Sequence, residues 1–199
     1  MVSPVSQPEV EPSADGRHGV LGRLRSFRAD SSGIAALEFA LILPVMLVLY
    51  LGGIEVTDGL MLKRKVSHTA SAIADLVAQD TAIASTAEMQ DIFNAGTTIL
   101  SPYTTSKLKV SVVAISMDAS KKATVSWSQT FNGGSCAAKG SVVTVPADLQ
   151  SANGFLVRVT TEYAYTPDFG YVLTGTIPLK ERFYQAPRSG KAITGPSCG

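Results

Sequence analysis

The chain has 199 residues, enough for one modest domain and an appendage but not for two large cores. Apolar residues make up 45% of it and charged residues 17%, below the ~25% usual for soluble domains. The formal net charge is +1 and no stretch is both basic and aromatic, so the charge balance gives nucleic-acid binding no support.

In chain order, residues 1 to about 32 predict a disordered leader. Pro4, Pro8, Pro12, Gly16, Gly19 and Gly22 interrupt any helix, and large apolar side chains are few. The last third of this leader is basic, with Arg17, Arg23, Arg25 and Arg28. The apolar excess is then concentrated in one run, Ile34 to Ile54. Its 21 residues would extend about 32 Å as a helix, the thickness of a bilayer's hydrocarbon core. A cleaved secretory signal would be shorter and would end in a small-residue cleavage site. Here Glu55, Asp58 and the cations Lys63, Arg64 and Lys65 follow, so the run predicts a retained anchor. The arginines before the span favour a cytoplasmic N-terminus, and the cations after it weigh against that assignment.

From Glu55 the helical period continues. Val66, Ala70, Ile73, Ala74, Leu76 and Val77 recur at spacings of three and four and form one apolar stripe. Ala70, Ser71, Ala72, Ala74 and Ala78 are small enough to admit a close neighbour, so a stalk beyond the bilayer is expected. Ser85 and Glu88 form an S-x-x-E capping box that opens a second helix, with Met89, Ile92, Phe93 and Leu100 facing inward. Beyond Pro102 the period changes to two. Strands are predicted at 108–117, 123–131, 141–145, 155–165 and 177–184, with turns at 118–121 and 132–134. In the clearest of them, Phe155, Val157, Val159, Thr161, Tyr163 and Tyr165 share one face, while Leu156, Arg158, Thr160, Glu162 and Ala164 share the other. Strands in succession without helices between them predict an antiparallel sheet. The two cysteines, Cys136 and Cys198, both lie in this half. Outside the cytoplasm they would form a disulfide, closing a loop of about 60 residues; inside it they would remain separate thiols.

One carboxylate interrupts the apolar run, and an acid within a membrane span is a candidate functional residue. Glu38 lies five residues after Gly33 and directly before Phe39. Taken alone, Glu38 also fits a side chain near the interface that snorkels to water, and Pro44 fits a simple helix kink. The segment Ser32-Gly33-Ile34-Ala35-Ala36-Leu37-Glu38-Phe39-Ala40-Leu41-Ile42-Leu43-Pro44, with Gly53-Ile54-Glu55 downstream, favours a more specific reading. It resembles the N-terminal signature of TadE-like proteins, pseudopilin-like components of the tight-adherence (Flp) pilus machinery, a branch of the prepilin pattern. The resemblance covers about 25 residues; the rest agrees only in architecture. It implies that a prepilin peptidase cuts between Gly33 and Ile34 on the cytoplasmic side. It also implies that the new ammonium of one subunit pairs with the Glu38 carboxylate of another and sets register. Phe39, Pro44 and Glu55 are the other positions it assigns to assembly, although a water-exposed helix face is the default for Glu55 and Asp58.

Nothing in the residues points to an enzyme, a catalytic residue, a metal site or a cofactor. His18 falls in the leader and His68 on the stalk, and neither has a partner at metal-ligand spacing. No glycine-rich phosphate loop is present. Trp127, Tyr163 and Tyr165 read as sheet packing rather than a ligand platform. The fold class is therefore α+β, a pilin-like lollipop. It would comprise a cytoplasmic leader (1–33), a transmembrane helix (34–55), a stalk with a second helix (56–101) and a β-rich periplasmic domain (102–199). The resemblance makes the chain a bacterial inner-membrane protein whose partners are other pilins or pseudopilins and assembly proteins. The rivals are a non-cleaved single-pass envelope interaction protein and a membrane-tethered ligand-binding domain.

Overall fold

The computed structural model describes residues 32–168, 170 and 173–198. The predicted leader, with His18 and its arginines, lies outside the described residues. The elements in order are α1 (Ser32–Gln79), α2 (Thr86–Thr97), β1 (Leu108–Met117), β2 (Ala123–Phe131), β3 (Phe155–Tyr165) and β4 (Ile177–Gln185). This is a long apolar N-terminal helix followed by a small antiparallel four-stranded sheet domain. Among the described residues the helix begins at Ser32 and includes Gly33. The described residues divide into two units, with the boundary between Leu47 and Val48.

In the first unit, residues 33–47 are helical and exposed throughout. Ile34 is 60% exposed and Phe39 65%. Pro44 stands inside the helix, where its missing N–H leaves one turn without its hydrogen bond. Among the described residues, α1 is the one helix long and apolar enough to cross a membrane.

The second unit is built on a sheet of order β2-β1-β3-β4, antiparallel throughout. The apolar stripe of α1 covers one face of it. Leu62, Val66, Ala70, Ile73, Ala74 and Val77 share a buried cluster with Leu108, Val110, Val112, Ala114, Val157, Val159, Tyr163 and Tyr165. Leu76 is only half-buried, at the margin of this stripe. The alternation read in β3 thus places its odd-numbered residues inward, and Thr161 Oγ1, itself buried, donates to Val66 O at 3.4 Å. α2 approaches α1 closely at Ile73. A Cβ on Gly96 would lie 2.3 Å from Ile73 Cγ1, so only a residue without one allows this approach. The capping box forms with one arm displaced: Ser85 Oγ accepts from Glu88 N at 3.2 Å, but Glu88 Oε2 reaches back to Ala84 N at 2.6 Å. From α2, Met89 and Phe93 are buried, and Phe93 meets the ring of Phe131 at 5.6 Å.

Two features depart from the simple period. The register of β1 against β2 shifts between Ala114 and Ile115, where Ala114 faces Trp127 but Ile115 faces Val125. The bulge reverses the faces, so Trp127 joins the helix-facing core while Val125 and Ala123 join a second cluster on the other face with Val113, Ile115, Met117 and Leu156. The predicted strand at 141–145 does not form. Val125 N donates to Ser141 O and Val143 N to Ala123 O, leaving a single bridge between Thr124 and Val142. The pairing runs out because Val143 already meets Ala123, the first residue of β2, and the turn before β2 offers no further strand. Val145 and Val143 instead cover the second cluster.

The C-terminal segment is fastened across the unit. Arg188 pairs with Asp75 at 2.6 Å, Ile83 N donates to Thr194 O at 2.8 Å, and Trp127 Nε1 donates to Ile193 O at 2.7 Å. Gly195 lies on the Trp127 ring, where a Cβ would approach within 2.7 Å. The segment ends in the Cys136–Cys198 disulfide.

Candidate functional site

The residues assigned to processing and register occupy the start of α1. An α-helix brings residues four apart onto one face, so Glu38 shares a face with Ile34 and Ile42. Glu38 is exposed, as are Ile34, Phe39, Leu41 and Ile42 around it. Gly33 has open space where a side chain would be. The arrangement is a carboxylate on an otherwise apolar helical surface that nothing in the first unit covers. In a hydrocarbon medium such a group needs a partner from outside that unit.

Glu55 behaves differently. The default of a water-exposed face does not hold for it: Glu55 is 2% exposed, and its Oε2 accepts from Leu173 N at 3.1 Å. Leu173 belongs to the connection between β3 and β4, which no local period could associate with α1. One turn on, the half-buried Asp58 accepts from two tyrosines. The Tyr103 hydroxyl donates to Oδ1, and the Tyr165 hydroxyl donates to Oδ2 at 3.3 Å. The Tyr165 hydroxyl also lies 3.3 Å from Glu55 O. Burial first, then the hydrogen bond to Asp58, pushes the Tyr103 phenol up to about 12. Burial, followed by the Asp58 charge, does the same to Tyr165, also to about 12. Both rings are therefore neutral donors across the physiological range. The two acids fasten α1 to its own sheet domain.

The cations after the span also separate on inspection. Lys65 Nζ donates to Ile99 O at 3.3 Å and to Ser101 O at 2.6 Å, capping the carbonyls that follow α2. Lys63 lies 3.9 Å from Glu181, and Arg64 is exposed. Trp127, Tyr163 and Tyr165 are buried in the helix-facing core as sheet packing. His68 is exposed on α1, and among the described residues no three His, Cys, Asp or Glu side chains gather as a metal site. Sequence reasoning missed the Asp58–Tyr103–Tyr165 contact. Its signal was an acid on α1 and an inward tyrosine at the end of β3, but their pairing depends on docking.

Residues 33–75 match the family model described as TadE-like protein. The match begins at Gly33 and takes in Glu38, Pro44, Glu55 and Asp58. Comparison with curated proteins and with solved structures found no match.

Proposed function

We propose that this chain, TadE-like over residues 33–75, is a structural component of a Flp-type tight-adherence pilus machinery. It is held in the bacterial inner membrane by one helix and acts through helix packing rather than catalysis. The observation that carries this reading is the uncovered apolar helix with a single carboxylate, Glu38, inside the matched segment. An apolar surface of this kind is stable in lipid or against other apolar helices, and Glu38 then selects a partner that brings a positive charge. A cut between Gly33 and Ile34 creates such a charge at the N-terminus of each copy, four residues from Glu38 on the same face. Pairing between the ammonium of one subunit and the Glu38 of another offsets the desolvation of both and fixes their axial stagger. In this reading a prepilin peptidase is the processing partner, other pilins or pseudopilins are the packing partners, and the sheet domain lies in the periplasm. Phe39 and Pro44 belong to the packing surface. Glu55 has a different part from Glu38: it holds the β3–β4 connection on α1, as its hydrogen bond to Leu173 N supports.

N-terminal sequencing of protein extracted from membranes tests the reading. Ile34 as the first residue supports a processed pseudopilin. An intact Met1 in cells with an active peptidase would leave a non-cleaved anchor and remove the ammonium from the mechanism. Recovery of the chain from the soluble fraction would overturn the membrane assignment.

A further inference from the structure

The sheet face away from α1 is not uniform. Its half near the β1–β2 hairpin is apolar and covered by Val143 and Val145. Its other half is polar and forms a cleft of about 260 Å³, walled by residues 133–137 and floored by β1, β3 and β4. Register places Lys109, Glu162 and Lys180 in one cross-strand row, and Ser111, Thr160 and Arg182 in the next. Arg158 stands two residues from Thr160 along β3, on the same face. Four cations thus line the cleft with one acid, Glu162, which pairs with Lys180 at 3.6 Å. The excess is three positive charges in a chain whose whole net charge is +1.

Edge protection accounts for charges on β4, because lysine and arginine on an outer strand discourage pairing with another sheet. It does not account for Lys109 on β1 or Arg158 on β3, which are interior strands. Lys109 faces the acid Glu162 across β1 and β3, but Arg158 faces Val113 and Tyr184. The Arg158 Nε is buried and, among the described residues, has no hydrogen-bond partner. A guanidinium does not lose its charge to relieve such a position. The wall is held in place as well, since Ser111 Oγ donates to Ser135 O at 2.5 Å and Cys136 is bonded to Cys198.

We propose that this cleft binds a phosphate group. Two guanidinium forks and two ammonium groups line it from three strands, and a phosphate, as a diester or a monoester, offers tetrahedrally arranged acceptor oxygens that several of these donors can share, whereas a carboxylate offers two oxygens in one plane. The phosphate has two sources in a cell envelope, a phospholipid headgroup or a phosphorylated sugar, and the chemistry of the contact is common to both.

The test is calorimetric titration of the full chain in a phosphate-free non-ionic detergent at constant ionic strength. Inorganic phosphate should bind saturably and more tightly than acetate. Arg182→Gln should weaken binding about tenfold, the loss of one charge-assisted contact. Glu162→Gln should tighten it, because the substitution removes the one acid from the cleft. Lys122→Gln, at the hairpin end of the sheet, should leave it unchanged. Glycerophosphoglycerol and glucose 6-phosphate then separate the sources, the tighter of the two naming the lipid or the sugar. Absence of saturable phosphate binding, equal affinity for acetate, or weaker binding by Glu162→Gln would each overturn the assignment.

Discussion

Replacing both bridged cysteines, as Cys136→Ser with Cys198→Ser, tests the fold and the compartment together. The bridge spans a sequence separation of 62 residues. Loop-closure entropy for a ring of that length gives about 4 kcal/mol in favour of the folded state, acting through the unfolded chain. The native contacts of the tail remain after the substitution: the Trp127 and Ile83 hydrogen bonds and the Arg188–Asp75 pair are all outside the disulfide. The fold is therefore retained while its stability falls. For a unit of about 150 residues, a loss of ~4 kcal/mol lowers the melting temperature by roughly 10 °C. Calorimetry in detergent, on the parent under oxidising conditions and on the double variant, measures it. A difference under about 2 °C would refute the entropic argument. Alkylation of the parent in intact membranes completes the test. Thiols that react without prior reduction place the domain on the reducing side and contradict a periplasmic location.

Four further outcomes are expected. Glu38→Ala should leave membrane insertion intact and abolish or sharply reduce pilus output; normal output would remove the register role. Gly96→Ala should destabilise the sheet domain by about 1–3 kcal/mol through overlap with Ile73. A double-mutant cycle with Ile73→Ala should be strongly non-additive, and additivity would mean the two helices do not meet there. The phenols of Tyr103 and Tyr165 sit above the ordinary tyrosine value in the folded state, near 12, so the stability they contribute is complete below pH ~10 and is lost as pH rises toward 12. Asp58→Asn should lower both phenols toward the ordinary value, and an unchanged absorbance titration would contradict the contact. Glu55→Gln keeps an acceptor for Leu173 N, whereas Glu55→Ala removes it, so the alanine variant should lose more stability in urea unfolding; equal losses would mean that the bond is unimportant.

Much of the architecture was legible because its signals are local. The apolar run, the stripe from Val66 to Val77, the capping serine and the strict alternation of β3 each depend on residues within a few positions of one another. The same logic failed where tertiary contact decides. The bulge between Trp127 and Val125 is invisible in a run of alternating residues, because it exists only against β1. The strand predicted at 141–145 had suitable composition, but its pairing runs out at Ala123, the first residue of β2.

Sequence alone determined the long apolar helix, its lone Glu38, the change of period after Pro102 and the cysteines available to pair. Tertiary structure alone decided that Glu55 is buried, because the group that covers it is 118 residues away. It also decided that Asp58 meets two tyrosines and that cations from three strands share one cleft. Periodicity fixes which face a side chain occupies, whereas burial and charge environment depend on which distant segment lands on that face.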